Sequence, residues 1–250
     1  MNAGLQTNIE IRCAENIRSP LEIGPDEVHV WRADLDAFAS AQTAEAFLSM
    51  DERHRASRFH FERERRRFAA GRQILRRLLG SYLGIAGREV EFRYSAHGKP
   101  ELSGAQADSG LAFNASHSGS VALFAFVRRR AVGIDVEQLR DDIEVCDIAT
   151  RFFSESEQAS MRRLAKDLQH QAFFACWTRK EAFVKAKGEG LSLPLNDFDV
   201  SLIPGQPARI LATRPNAQER DHWSMWNLDA GRGFAAAVVV EGQELRLTLH

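Results

Sequence analysis

Cysteine is scarce in this sequence. Cys13, Cys146 and Cys176 stand far apart and form neither a C-x-x-C pair nor a zinc-ligand spacing. An odd, sparse set suits a reducing cytoplasm. An excess of one charge is missing too. Thirty-three Lys and Arg meet 34 Asp and Glu, for a net charge of −1. A dedicated nucleic-acid binder is usually strongly basic, so that class is disfavoured. Long apolar runs are absent. Val121–Val127 and Phe234–Val240 are far too short to cross a bilayer. They read instead as buried strands. The opening MNAGLQTNIEIRC has no continuous apolar core, so no signal peptide is expected and the expected compartment is the cytoplasm. What remains is 250 residues, 44% hydrophobic and 27% charged, an ordinary globular composition with room for one large domain or two small ones.

The first twenty residues carry no clear pattern. Val28–Trp31 reads as a short strand and Gln42–Met50 as a short helix. Arg63–Leu83 is the first long helix, with Gly84 where it should stop. Short strands and loops follow. Val121–Val127 and Val132–Glu137 face each other across the basic turn Arg128–Arg130. In the second of these, Val132, Ile134 and Val136 point one way and Gly133, Asp135 and Glu137 the other. A helical region runs from Asp147 to about Lys187, broken near Phe153–Ser154 and again near Asp167. After Pro194 the pattern is strands only. Each half therefore has one long helix and several strands, an α+β chain of two lobes joined near residues 128–132. No internal sequence repeat is visible to support a duplication.

Four features could carry chemistry. Asp135 and Glu137, at i and i+2 on a strand, project from one face, and two hard oxygen ligands on a rigid element suit Mg²⁺. Ordinary surface acids explain that spacing more often. In Trp177–Leu195, Glu181 and Lys185 share a helix face, which by itself usually means a solvated ion pair. Here Lys180, Lys185 and Lys187 crowd one acid, an arrangement that suits a metal-and-phosphate site. Asn114–Gly119, with Ser116 and His117, offers hydroxyl, imidazole and backbone donors for a phosphate, or is merely a polar turn capping a strand. Lastly, ten arginines lie between Asp51 and Gly80, where one or two could clamp a phosphate, as could Lys99 in its Gly-Lys-Pro turn. An RNA-binding face is the rival reading of the arginines, but no aromatics are interleaved to stack bases.

Singly these are weak; their order is specific. Gly98-Lys99-Pro100, then Phe113–Gly119, then Gly133–Glu137, then Trp177–Lys185 with Gly190-Leu191 resembles the surfactin-synthetase-type phosphopantetheinyl transferases over about residues 51–200. Arg58-Phe59 and Arg151–Glu155 extend the likeness. The resemblance implies a pseudo-twofold pair of lobes, each a long helix on a small, mostly antiparallel sheet, with residues 1–130 on the nucleotide side of coenzyme A and 131–250 on the metal and pyrophosphate side. It implies transfer of 4′-phosphopantetheine to a serine of an apo acyl, aryl or peptidyl carrier protein, with release of 3′,5′-ADP. By position, Asp135, Glu137 and Glu181 match the metal carboxylates, for Mg²⁺ or Mn²⁺ in its place. Lys180 and Lys185 match pyrophosphate-facing lysines. Arg55, Arg67, Lys99, Ser116 and His117 match coenzyme A contacts. Early basic residues that are often lysines in that family are here Glu52, Arg53 and Arg55. The expected catalytic residues are Glu181, as ligand and candidate base, and Lys185, stabilising the leaving phosphate. The expected partner is an acidic helical carrier docking near Gln138–Phe153, with no nucleic acid or membrane, and a monomer suffices. The alternatives are an arginine-rich nucleic-acid-binding module, a metal-dependent phosphohydrolase acting on coenzyme A, and a coenzyme A-binding regulator without catalysis.

Overall fold

The computed structural model describes residues 10–11, 20–38 and 47–250. Most of the opening segment, and residues 42–46 of the short helix expected at Gln42–Met50, lie outside them. Met50 opens a helix rather than closing one. Ser49 caps α1 (Met50–Ser57) in a reciprocal box with Glu52, satisfying two backbone N–H groups that the first turn leaves unpaired.

The first half is a 22-residue helix laid on a sheet. The helix, α2 (Glu62–Leu83), begins with acids in its first turn and ends at Gly84, whose φ of 69° closes the last turn in a conformation that costs glycine little. Its sheet contains β2 (Glu27–Asp34), β5 (Leu111–Ser118) and β6 (Val121–Arg128), antiparallel in the order β2-β6-β5. Two short parallel strands share the outer edge of β2. Glu10–Ile11 (β1) lies beside Arg32–Ala33, and Arg246–Leu249, the twelfth strand of the chain, lies beside Glu27–Val30. Residues 246–249 therefore join the first half and not the second, where a division at residue 130 would put them. Between these elements, β3 (Phe92–Tyr94) and β4 (Pro100–Leu102) form a small hairpin.

The second half repeats the arrangement. Its sheet is β10 (Trp223–Asn227), β11 (Phe234–Glu241) and β7 (Val132–Gln138), all antiparallel. Helices α3 (Val145–Phe152) and α4 (Glu155–Arg162) lead into α5 (Lys166–Lys187). The first helix break falls as expected. The second falls at 163–165, because Asp167 sits favourably in the first turn of α5. Beyond Pro194 the strands expected there, including β8 (Phe198–Val200) and β9 (Ile210–Thr213), alternate with short helical segments at Leu195–Asp197 and Ala217–His222.

The two sheets stack back to back. Trp31, Phe113, Phe124 and Phe126 face α2, with Ile74, Leu78 and Leu79 against them. On the opposite face, Val28, Val30, Leu123 and Val127 meet Val132, Ile134, Val136, Ala236 and Val238 of the second sheet. The far side of that sheet, with Ala237 and Val239, carries α5 through Phe173, Cys176 and Phe183. The order is thus helix, sheet, sheet, helix. Val121–Val127 is buried along its whole length because it has a helix on one side and a sheet on the other. β6 and β7 do face each other, but as members of different sheets.

Candidate active site

Alternation along β7 puts Gly133, Asp135 and Glu137 on the face that meets α5. At Gly133 the two backbones nearly touch: an added Cβ would lie 2.0 Å from the Ala182 carbonyl oxygen and 2.3 Å from the Ala186 nitrogen. This close approach lets Glu181 and Lys185, one turn apart on α5, reach the carboxylates of β7. The Lys185 ammonium donates to Asp135 Oδ1 at 2.6 Å, to Ser116 Oγ at 3.1 Å and to the Ile134 carbonyl at 3.3 Å.

Asn114–Ser118 is not a polar turn. It is the end of β5, paired with β6 as far as Ser118. Its alternate side chains point at β7. Ser116 donates its hydroxyl to Asp135 Oδ1 at 2.9 Å, and Ser118 donates to Glu137 Oε2 at 2.9 Å. Asp135 is not a solvent-facing acid either. Its residue is 3% exposed, and its second oxygen, Oδ2, is buried with no hydrogen-bond partner. Burial, and then the Asp135 charge, push Glu137 above the ordinary carboxylate range, against the pull of Ser118 and Lys185. Burial and Asp135 likewise push Glu181 up, with Glu137 adding to the rise and Lys185 opposing it.

The donor chemistry is that of a hard dication: three carboxylates, all oxygen, one buried oxygen unclaimed, and two acids whose ionisation is disfavoured by burial and then by the Asp135 charge. Their spacing is looser. Among the described residues, no three His, Cys, Asp or Glu side chains are gathered tightly enough to hold a metal ion as they stand.

Beside the carboxylates opens a cavity of about 210 Å³ between α2 and β5, lined by Arg55, Arg67, Phe68, Arg72, Ser116 and His117 among others. Four of the residues expected at coenzyme A thus line one cavity. Arg67 is gripped by Asp36 through two bonds of 2.6 and 2.7 Å, which hold the Asp36 carboxyl below its usual range. Arg55 lies over the Phe68 ring at 5.5 Å. His117 stands at the exposed rim, where desolvation against the protein and then the Lys185 charge push its ring below the ordinary imidazole value.

Two expected contacts belong elsewhere. Lys180 is fully buried in the second half, 2.9 Å from Glu157 and bonded to the Leu195 and Phe198 carbonyls at 2.6 and 2.7 Å. It is a core cation paired with a core anion, and it does not reach the cleft. Lys99 crosses between the halves and donates to the Val132 and Lys185 carbonyls at 3.0 and 2.8 Å. Both backbone oxygens lie at the β7–α5 contact, so Lys99 fastens that contact and is not among the residues lining the cavity. Much of the arginine cluster is also internally matched. Glu52 pairs with Arg76 at 2.9 Å and Arg72 at 3.4 Å, and Glu62 with Arg65 and Arg66. Glu52 stands where a basic residue was expected, and α2 brings the arginines to it.

Sequence reasoning missed Glu157, Asp36 and the role of Ser118. Glu157 had a signal, the Ser154-x-x-Glu157 capping box. Ser118 lies in the Asn114–Gly119 run read for its hydroxyls, but as a phosphate donor; Asp36, in the turn after β2, had no signal.

A family model described as "4'-phosphopantetheinyl transferase superfamily" matches residues 131–239, and one described as "4'-phosphopantetheinyl transferase, N-terminal" matches residues 30–128. The chain is 43% identical over 218 residues to the 4'-phosphopantetheinyl transferase HetI of Nostoc sp., covering 87% of this chain and 89% of that one. It is 30% identical over 193 residues to the 4'-phosphopantetheinyl transferase Sfp of Bacillus subtilis, covering 76% and 81%. A solved holo-[acyl-carrier-protein] synthase from Thermotoga maritima overlays on 46% of this chain and 64% of its own, with 23% identity and a TM-score of 0.37.

Proposed function

The chain belongs to the 4'-phosphopantetheinyl transferase superfamily and moves the phosphopantetheine arm of coenzyme A onto a carrier protein, and we propose that it does so in the cleft between β5, β7 and α5. The observation that carries this placement is the buried, unpartnered Oδ2 of Asp135 between two acids whose ionisation is disfavoured.

Asp135, Glu137 and Glu181 would hold a divalent metal, Mg²⁺ by the hardness of the set, with Mn²⁺ able to replace it. Such an ion, when bound, polarises the pyrophosphate and neutralises its charge. The residues of the chain do the rest. Arg55, Arg67 and His117 grip the nucleotide phosphate in the cavity beside β5, on first-half residues, while the pyrophosphate faces second-half residues. Lys185, one turn from Glu181, neutralises charge on the departing 3′,5′-ADP. Glu181 takes the proton of the attacking carrier serine. Base help of this kind is worth roughly 10²–10⁴-fold. The carrier docks near Gln138–Phe153.

No helix among the described residues is long and apolar enough to cross a membrane. We assign the protein to the cytoplasm, acting as a monomer without nucleic acid. The free thiols of Cys146 and Cys176 suit that compartment, and the self-paired arginines of α2 speak against nucleic acid.

Incubation with coenzyme A, Mg²⁺ and a panel of apo carrier proteins, read by intact mass, tests the reading. Carriers should gain one phosphopantetheine arm, and EDTA should stop the gain. Breakdown of coenzyme A without any carrier would indicate a phosphohydrolase instead. Transfer undiminished by EDTA would remove the metal from the scheme.

A further inference from the structure

The edges of β5 and β7 meet at the boundary between the two sheets, joined by side chains. Asn114 Oδ1 accepts the Ile134 N–H at 2.8 Å, Ser116 Oγ the Val136 N–H at 3.4 Å, and Ser118 Oγ the Gln138 N–H at 3.0 Å. Each step of two residues on one strand matches a step of two on the other. The rungs satisfy amide groups on β7 that a neighbouring strand would otherwise take.

The second and third rungs do something the first does not. A hydroxyl accepts at its lone pairs and has one hydrogen left to give. Ser116 gives it to Asp135 Oδ1 and Ser118 to Glu137 Oε2, each at 2.9 Å. At the first rung, the residue in the equivalent place is Gly133, and there is no carboxylate to hold. Fixing one oxygen of Asp135 stops the group rotating and leaves Oδ2 buried and unclaimed. Without such a hold, like-charged neighbours would turn away from one another.

We propose that Ser116 and Ser118 are positioning residues: from the first half of the chain they set the Asp135 and Glu137 carboxylates of the second half for capture of a divalent cation. This rests on the reading that those acids hold the ion. It also makes cation affinity depend on how the two halves meet, since the hydroxyls lie on one side of the boundary and the carboxylates on the other.

Ser118 is the cleaner probe, because Lys185 also grips Asp135 Oδ1. Mn²⁺ alone is titrated into the metal-free, full-length protein, with free Mn²⁺ read by electron paramagnetic resonance and folding read by melting. Ser118→Ala should weaken Mn²⁺ binding about 10–100-fold, the usual effect of losing an outer-shell partner, and Ser118→Thr, which keeps the hydroxyl, should restore it. Asn114→Ala removes a rung that touches no carboxylate. It should lower the melting temperature as Ser118→Ala does, yet leave Mn²⁺ affinity at the wild-type value. Ser118→Cys, with a weak donor of similar size, serves if Ser118→Ala does not fold. Wild-type affinity in the Ser118 loss variants, or an equal loss in Asn114→Ala, would overturn the proposal while Asp135→Asn still abolishes binding. If Asp135→Asn also binds Mn²⁺ normally, the cation reading itself fails and takes this proposal with it.

Discussion

Replacing Gly133 with alanine tests the contact on which the whole site depends. The new Cβ would lie 2.0 Å from the Ala182 oxygen, where ordinary contact begins near 3.4 Å. The atoms it meets are backbone, so no change of rotamer relieves the clash, and α5 must move outward by more than an ångström. That helix is tied down. Lys180 binds Glu157, Arg179 binds Ser201 and Asn227, and the Lys185 carbonyl accepts from Lys99. Overpacking usually costs about 1–3 kcal/mol, and a pinned helix puts this case at the upper end. For a chain of this length, ~3 kcal/mol lowers the melting temperature by roughly 6–12 °C. The same shift draws Lys185 off Asp135, now 2.6 Å away, and moves Glu181 with it. A misplacement of about 1 Å can cost 10²-fold in rate. Gly133→Ala should therefore melt early and, at temperatures where it remains folded, transfer about a hundredfold more slowly to an apo carrier. Wild-type melting together with wild-type turnover would refute the reasoning, because it would mean that the β7–α5 separation is not what sets the site.

Lys180→Met breaks a buried ion pair, which costs about 3–5 kcal/mol, so melting should fall by roughly 10 °C while the KM for coenzyme A holds. A raised KM with normal melting would return Lys180 to the pyrophosphate. His117→Ala should raise the KM for coenzyme A far more than it lowers kcat and should erase the preference over 3′-dephospho-coenzyme A; a preserved preference would assign the ring another role. Glu181 has a raised pKa, so its ionised form weakens the fold above that pKa and the penalty vanishes below the ordinary value of 4.5. In metal-free buffer at pH 7, Glu181→Gln should thus melt higher than wild type yet transfer almost nothing at any Mg²⁺ concentration, and near-normal kcat at high Mg²⁺ would leave Glu181 a ligand alone. His250, stacked on Trp31, is pushed down to about 4 by burial and then by His29, so stability should fall as pH drops from 6.5 towards 4, and His250→Phe should flatten that slope in acid melts.

The strands and helices of the site were legible because burial writes itself into residue type. An unbroken run such as Val121–Val127 has to be covered on both faces, and the alternation of Val132–Glu137 separates a core face from a working face. Side-chain direction was harder. Successive residues of a helix turn by about 100°, so Glu181 and Lys185 stand roughly 40° apart whereas Lys180 and Lys185 stand roughly 140° apart. The spacing therefore already divided the lysines, but charge alone grouped them. Nothing local to Gly98-Lys99-Pro100 tells which way its ammonium reaches, since its two acceptors are carbonyls 33 and 86 residues away. The strand alone does not show that Asp135 is buried, because the serines of β5 and the helix that enclose it are distant in sequence. Glu52 stands among positions that are often basic in the family, and the positive charge beside it comes from Arg72 and Arg76 of α2, distant in sequence.

The strand at Arg246–Leu249 has a consequence in time. It completes the outer edge of β2, a strand that ends at Asp34. During synthesis the ribosome must add some two hundred residues between the two, about 10–40 s at 5–20 residues per second. Throughout that interval the Glu27–Val30 edge waits with a row of unpaired amides, the kind of surface that recruits a strand from another nascent chain. The α2 face of the first half can pack early, whereas the second sheet waits for β11, its middle strand, made just before Arg246–Leu249. The outer edge of β2 is the last to be completed, and it lies in the half that was made first.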